Sequence, residues 1–256
     1  MFMLYHEIIG TGEPVVLIHG YGETSEVWHQ LASDLEKEYQ FLIVDLPGFG
    51  KSAVQESLSM TSMVDDIKEI MDSISWNKAV LLGHSMGGYV SLEFAHLYPE
   101  MLCGLGLLHS TANADTVAKT EGRRKVIEFL EDASLEGYAK LFAPNLFAVE
   151  NREKKEWVDA AHELVLKGSN KGLQMATEAM IHRKDRNHVF DDLDIPYLFV
   201  TGRHDELVPM DDMLKQASYC RRSVTGLFDH SGHLSMVENP DKLKKVVSDY
   251  LSWVFR

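Results

Sequence analysis

Cysteine is scarce. Cys103 and Cys220 are the only two in 256 residues, which excludes the disulfide framework of a small secreted scaffold and leaves two inert thiols. Positive charge is also in deficit. The 25 Lys and Arg face 39 Asp and Glu, a net charge of −14, whereas a nucleic-acid or anionic membrane partner requires clustered cations. The acidity is spread out rather than gathered into a tail, as on a solubilising surface. No apolar run approaches the roughly 20 residues of a membrane span, and no basic-then-apolar leader opens the chain. These deficits exclude nucleic acid and membrane as partners. They predict a cytoplasmic monomer or homodimer that meets a small-molecule substrate.

The usual metal and nucleotide signatures are missing too. His6-Glu7 and His162-Glu163 lack the second histidine of a zinc helix, and no Cys/His cluster exists. No G-x-G-x-x-G follows a strand. Gly50-Lys51-Ser52 has the end of a phosphate-binding loop, but Asp45 stands where its first glycine belongs and Pro47 would interrupt its amide donors. The expectation is no metal and no cofactor.

What the chain does have is 45% apolar residues, enough for a buried sheet. Short apolar runs closed by Gly, Pro, Asp or Ser mark strands at Val15–His19, Phe41–Asp45, Ala79–Gly83, Cys103–His109, Tyr197–Gly202 and Ser223–Phe228. Phe2–Ile9 adds an edge strand. Helical spacing occupies Ser25–Tyr39, Met60–Ser75, Met86–Tyr98, Met210–Tyr219 and Asp241–Phe255. This alternation predicts an α/β fold with a mostly parallel sheet covered on both faces. It breaks once. Between 112 and 192 the periodicity is helical only, with polar breaks at Asn151 and Gly168-Ser169-Asn170. The expected organisation is a core of 1–111 and 193–256, with 112–192 inserted as a lid of some four helices.

Gly83-His84-Ser85-Met86-Gly87 stands between the run Ala79–Leu82 and the helix that follows. A serine on so sharp a strand-to-helix turn is strained and exposed, and glycines two residues to either side avoid collision with neighbouring backbone. The Met86 N–H, opening the helix, points where an oxyanion would form. Ser85 needs a base. Of 12 histidines, His233 follows the last strand beyond the flexible pair Ser231-Gly232; His230 is the competitor. The base needs an anion to hold its tautomer, and Asp205 follows strand Tyr197–Gly202, with Glu206 as its neighbour. In His19-Gly20-Tyr21-Gly22 the backbone curls beside the nucleophile, making the Tyr21 N–H a second oxyanion donor. His19 itself reads as a structural tie within that loop.

Three further stretches complete the series: Asp45-Leu46-Pro47-Gly48-Phe49-Gly50-Lys51-Ser52, Gly202-Arg203-His204-Asp205, and Ser231-Gly232-His233 followed by Glu238-Asn239-Pro240. With Ser…Asp…His in that chain order, the sequence resembles the α/β-hydrolase-fold serine hydrolases. It is similar in particular to small capped bacterial esterases, C–C hydrolases and enol-lactonases. The motifs span the chain apart from the lid. They imply a seven- or eight-stranded sheet, although only one strand fits before Val15. They also imply Ser85, Asp205 and His233 as the triad, and Tyr21 and Met86 as the oxyanion hole.

The expected activity is cleavage of a small carboxylic ester through an acyl-enzyme. The same triad serves C–C hydrolysis, lactone opening, perhydrolysis and a lyase reaction, and the same fold also serves slow-turnover ligand receptors. Trp28, His109, Phe142, Leu146 and Phe147 are candidates for the substrate pocket. Arg183-Lys184-Asp185-Arg186 closes the lid as an ion-pair hinge; an inward-facing arginine there would instead favour an anionic substrate.

Overall fold

The computed structural model describes residues 4–256. Its elements are β1 (His6–Gly10), β2 (Glu13–Ile18), α1 (His29–Leu35), β3 (Tyr39–Val44), α2 (Met60–Ser73), β4 (Ala79–His84), α3 (Met86–Leu97) and β5 (Leu102–Leu108). Next come α4 (Val117–Asp132), α5 (Leu135–Phe142), α6 (Lys155–Leu166), α7 (Asn170–Ile181) and α8 (Val189–Asp192). The chain ends with β6 (Tyr197–Gly202), α9 (Met210–Ala217), β7 (Ser223–Phe228), α10 (Ser235–Glu238) and α11 (Pro240–Val254). The part of the expected edge strand that falls on Phe2 and Met3 lies outside the described residues. No helix among the described residues is long and apolar enough to cross a membrane.

Among the described residues, seven strands form one sheet in the order β1-β3-β2-β4-β5-β6-β7. Only β1 runs antiparallel, against β3. The apolar runs are continuous because alternate residues feed opposite cores. Val16 and Ile18 of β2, with Leu81 of β4, pack against α2 and α3. Val15, Leu17, Val80 and Leu82 pack on the other face, against α1 and α11. Val15 through Ile18 are fully buried.

One helix is shorter than its sequence pattern. Ser25–Trp28 is a 3-10 turn capped by Thr24, and α1 ends at Leu35, because Tyr39 is already paired with Glu13 as the first residue of β3. Tertiary pairing overrides local periodicity there. Between neighbouring strands β5 and β6 the chain makes α4 to α8. Ser134 and Ser169 cap α5 and α7, each accepting from an amide three residues on.

The strand order reverses between β2 and β4, since the chain leaves β2 for β3 on one side and returns to pair β4 on the other. Such a switch point opens a crevice at the carboxyl ends of the strands. The loops after β2, β4, β5, β6 and β7 all emerge at that edge.

Candidate active site

Ser85 sits at the switch point with φ 49° and ψ −113°, a conformation that costs an L-residue on the order of 1–3 kcal/mol. Two backbone bonds hold it there: Ser85 N donates to the Leu108 carbonyl at 2.9 Å, and Ser110 Oγ donates to the Ser85 carbonyl at 2.7 Å. The flanking glycines are sterically required. A Cβ on Gly83 would run into the Gly87 carbonyl, and one on Gly87 into the Ile18 carbonyl.

His233 follows β7 and is buried. Its N–H donates to the Leu146 carbonyl at 2.8 Å, and its Nδ1 lies 2.8 Å from Asp205 Oδ2. Glu238 shapes this loop, accepting from Gly232 N at 2.7 Å and from Ala148 N at 2.9 Å. The competing His230 has a side chain 79% exposed, paired with Glu150. Glu206 likewise points outward, to Arg152.

Asp205 Oδ1 accepts from the Leu207 and Val208 amides, each at 2.9 Å. Burial would raise its pKa, but His233 and His109 reverse that and hold the carboxyl well below the usual carboxylate range. His109 Nδ1 meets the same Oδ2 at 2.9 Å, and its Nε2 lies 2.8 Å from Ser235 Oγ. Burial pushes His109 down to about 4 against the pull of Asp205. It is therefore a neutral imidazole that donates from Nδ1 to Asp205 and accepts from Ser235.

A second buried pair braces the loops. Gly20 N donates to Glu23 Oε2 at 2.7 Å, while His84 places Nδ1 2.9 Å from Glu23 and Nε2 2.8 Å from the His233 carbonyl. Burial opposes charge on both groups, yet their attraction raises His84 and lowers Glu23. The pair is ionised, and it links the Tyr21 loop to the His233 loop through the residue before Ser85. His19 is kept neutral by burial; it donates to the Gly20 carbonyl and accepts from Leu46 N. Among the described residues, neither the Tyr21 nor the Met86 amide donates within the protein.

Ser85 and His233 open on a cavity of about 340 Å³ beneath α4, α5 and α7. Phe142 and Leu146 line it, with Tyr21, Tyr138 and Thr177. Three expected pocket residues do not. Trp28 is fully buried on the α1 and α11 side of the sheet, because the 3-10 turn swings its ring into that core. Phe147 is 1% exposed and packs near Trp157, with Gly232 against its backbone. His109 is fully buried behind Asp205. Arg183 and Arg186 stay outside the cavity, bonded to Asp115 and Glu93 at 2.7 and 2.6 Å.

Sequence reasoning missed the tie of His109 to Asp205, the Glu23–His84 pair, and Lys119 and Arg123, which also line the cavity. Their i, i+4 spacing on one helix was the available signal. His109, Asp205 and His233 bring ligand-type atoms within 4.8 Å of one another. Both Nδ1 atoms, however, are committed as donors to Asp205, so the group reads as a hydrogen-bond network.

A family model for the alpha/beta hydrolase fold matches residues 13–173. A solved structure of a thermophilic esterase from Thermogutta terrifontis, with malate bound, superposes with a TM-score of 0.93 at 30% identity, covering 98% of this chain and 93% of that one. A 2-hydroxy-6-oxononadienedioate/2-hydroxy-6-oxononatrienedioate hydrolase of Burkholderia vietnamiensis is 25% identical over 97% of this chain and 90% of its own. A pimeloyl-[acyl-carrier protein] methyl ester esterase of Sodalis glossinidius is 25% identical over 98% of both chains.

Proposed function

The chain belongs to the α/β-hydrolase fold family, and from that premise we propose that it cleaves small-molecule carboxylic esters through an acyl-enzyme. The observation that carries this reading is the line from buried Asp205, through His233 at 2.8 Å, into the cavity that Ser85 shares. The 30% identity to an esterase along nearly the whole chain supports it.

In this mechanism Ser85 Oγ attacks the ester carbonyl as His233 Nε2 takes its proton. Asp205 keeps the Nδ1–H tautomer and stabilises the imidazolium. The tetrahedral oxyanion is met by the Tyr21 and Met86 amides, each worth roughly two to three orders of magnitude in rate. Collapse breaks the C–O bond to the alcohol, which leaves with the proton from His233. Water, deprotonated by His233, then attacks the acyl-enzyme; the C–O bond to Ser85 breaks, His233 returns the proton to Ser85 Oγ, and the acid is released. His233 makes every proton transfer in this sequence, while the two amides only hydrogen-bond the oxyanion. The helices from 112 to 192 act as the lid over this cavity, whose size suits a small substrate.

A second reading, carbon–carbon bond hydrolysis by the same triad, is favoured by the similarity to the dienedioate hydrolase. Pre-steady-state hydrolysis of short p-nitrophenyl esters separates the readings. A burst followed by sustained turnover, both absent in Ser85→Ala, is expected of the esterase. A stoichiometric burst that stalls points to a slow-turnover receptor, and no reaction at all points to carbon–carbon chemistry.

A further inference from the structure

The chain carries 39 acidic residues against 25 basic ones, yet the wall of the Ser85 cavity reverses that balance. Lys119 and Arg123 line it, and among the described residues no Asp or Glu does. Both project from α4, one helical turn apart, on the stripe that also presents Gly122 and Val126 to the cavity. A Cβ on Gly122 would meet nothing within 4 Å, so the backbone leaves room beside both cations.

Neither cation is used up by the fold. Lys119 Nζ reaches only the Leu207 carbonyl, at 3.3 Å, and makes no ion pair among the described residues. Arg123 meets Asp115 through Nε at 2.6 Å, leaving its terminal nitrogens without a protein partner among the described residues. That carboxylate is itself shared, because Arg183 holds its other oxygen at 2.7 Å. One buried negative charge thus stands against two guanidiniums. The field of Arg123 also reaches the Tyr21 and Tyr138 hydroxyls, where it opposes the upward push of burial on both. Much of the remaining wall is apolar, including Val126, Phe142 and Met180, and charge attraction is stronger beside such surface than in open water.

We propose that Lys119 and Arg123 form a carboxylate-binding subsite, so that the ester cleaved at Ser85 carries an anionic carboxylate away from the scissile bond. The inference rests on the ester reading above and deepens it. Lys119 supplies a mobile point charge, and Arg123 presents the free end of its guanidinium fork. The subsite selects dicarboxylic monoesters, or esters of hydroxy acids, over neutral esters of the same length.

The test compares kcat/KM for monomethyl glutarate and methyl valerate, then for O-acetylglycolate and ethyl acetate. The first pair carries the carboxylate on the acyl side, the second on the alcohol side. Within each protein the readout is the ratio of anionic to neutral kcat/KM. The wild type is expected to favour the anion in one pair by about tenfold or more, which is roughly 1.4 kcal/mol, with the preference shrinking as salt rises. Lys119→Glu and Lys119→Met should lower that ratio at least about tenfold, and Lys119→Arg should keep most of it. A wild type that favours the neutral ester in both pairs, or a ratio unmoved in Lys119→Glu, overturns the subsite while leaving the esterase intact. If neither kind of ester is turned over, the ester reading itself fails. Calorimetric titration of glutarate then decides the subsite alone: binding weakened in Lys119→Glu supports an anion site, and equal or absent binding in both proteins overturns it.

Discussion

His109 and His233 donate to one carboxylate oxygen: Asp205 Oδ2 is 2.9 Å from His109 Nδ1 and 2.8 Å from His233 Nδ1. The carboxylate is therefore located by four donors, these two imidazoles and the Leu207 and Val208 amides. In the mechanism proposed above, His109 would act through Asp205, as a positioning residue.

Replacing His109 with Phe removes that donor and leaves Ser235 Oγ without its partner. We expect kcat for a short ester to fall about tenfold with KM little changed, since the loss is felt at the proton transfer and not in the pocket. His109→Asn, which keeps an N–H, should be milder. Steady-state kinetics check this, and a His109→Phe kcat within twofold of wild type would rule out the positioning role.

His109 also gives stability a pH dependence of known sign. Burial brings its pKa to about 4 in the folded protein against an ordinary 6.5, so between these values the unfolded chain binds the extra proton. Stability must then rise with pH from about 4 to 6.5 on account of this group. Urea midpoints across that window should rise less steeply in His109→Asn than in the wild type; parallel profiles would contradict the assignment.

The Glu23–His84 pair acts in the opposite sense at the alkaline end. Glu23 lies below its ordinary 4.5, so its contribution is present above that pH and fades as pH falls through the folded value. His84 is raised above 6.5, so its contribution is complete below 6.5 and fades as pH climbs through the folded value. The pair therefore stabilises most between pH 4.5 and 6.5. Glu23→Gln leaves a buried imidazole without its counter-ion and should cost about 3–5 kcal/mol in that range. Its deficit, read from denaturant melts, should narrow as the pH climbs from 6.5 through the folded value of His84.

Backbone strain at Ser85 predicts that function is held at the expense of stability. Glycine tolerates φ 49° far better than serine or alanine does. Ser85→Gly and Ser85→Ala should both be inactive, with Ser85→Gly melting about 2–4 °C higher if the difference is near 1 kcal/mol. Equal melting temperatures would mean that the turn stores no strain.

Much of this architecture is legible along the chain, for a physical reason. A parallel strand covered on both faces must be apolar at every position, so β2, β4, β5 and β6 stand out as runs such as Val15-Val16-Leu17-Ile18. Likewise the loops that leave a common sheet edge carry short, composition-limited signatures. Gly83 and Gly87 are demanded by local backbone collisions, and Gly232 can be read as a turn before His233.

Other features depend on pairings that no local pattern encodes. His109 meets Asp205 across 96 positions, and Glu23 meets His84 across 61. As large apolar residues Trp28 and Phe147 are candidates for the pocket wall, but only the packed chain decides which side of the sheet receives them. The ammonium of Lys119 and the guanidinium of Arg123 look like ordinary solvated charges on α4 until that helix is laid over the strand ends. The sequence by itself determined the strand runs, the sharp serine turn and the order of the reactive loops, because these arise from interactions within a few residues. Tertiary structure alone decided which imidazoles share a carboxylate and which charges face the cavity, because those follow from how helices and loops far apart in the chain meet over one sheet edge.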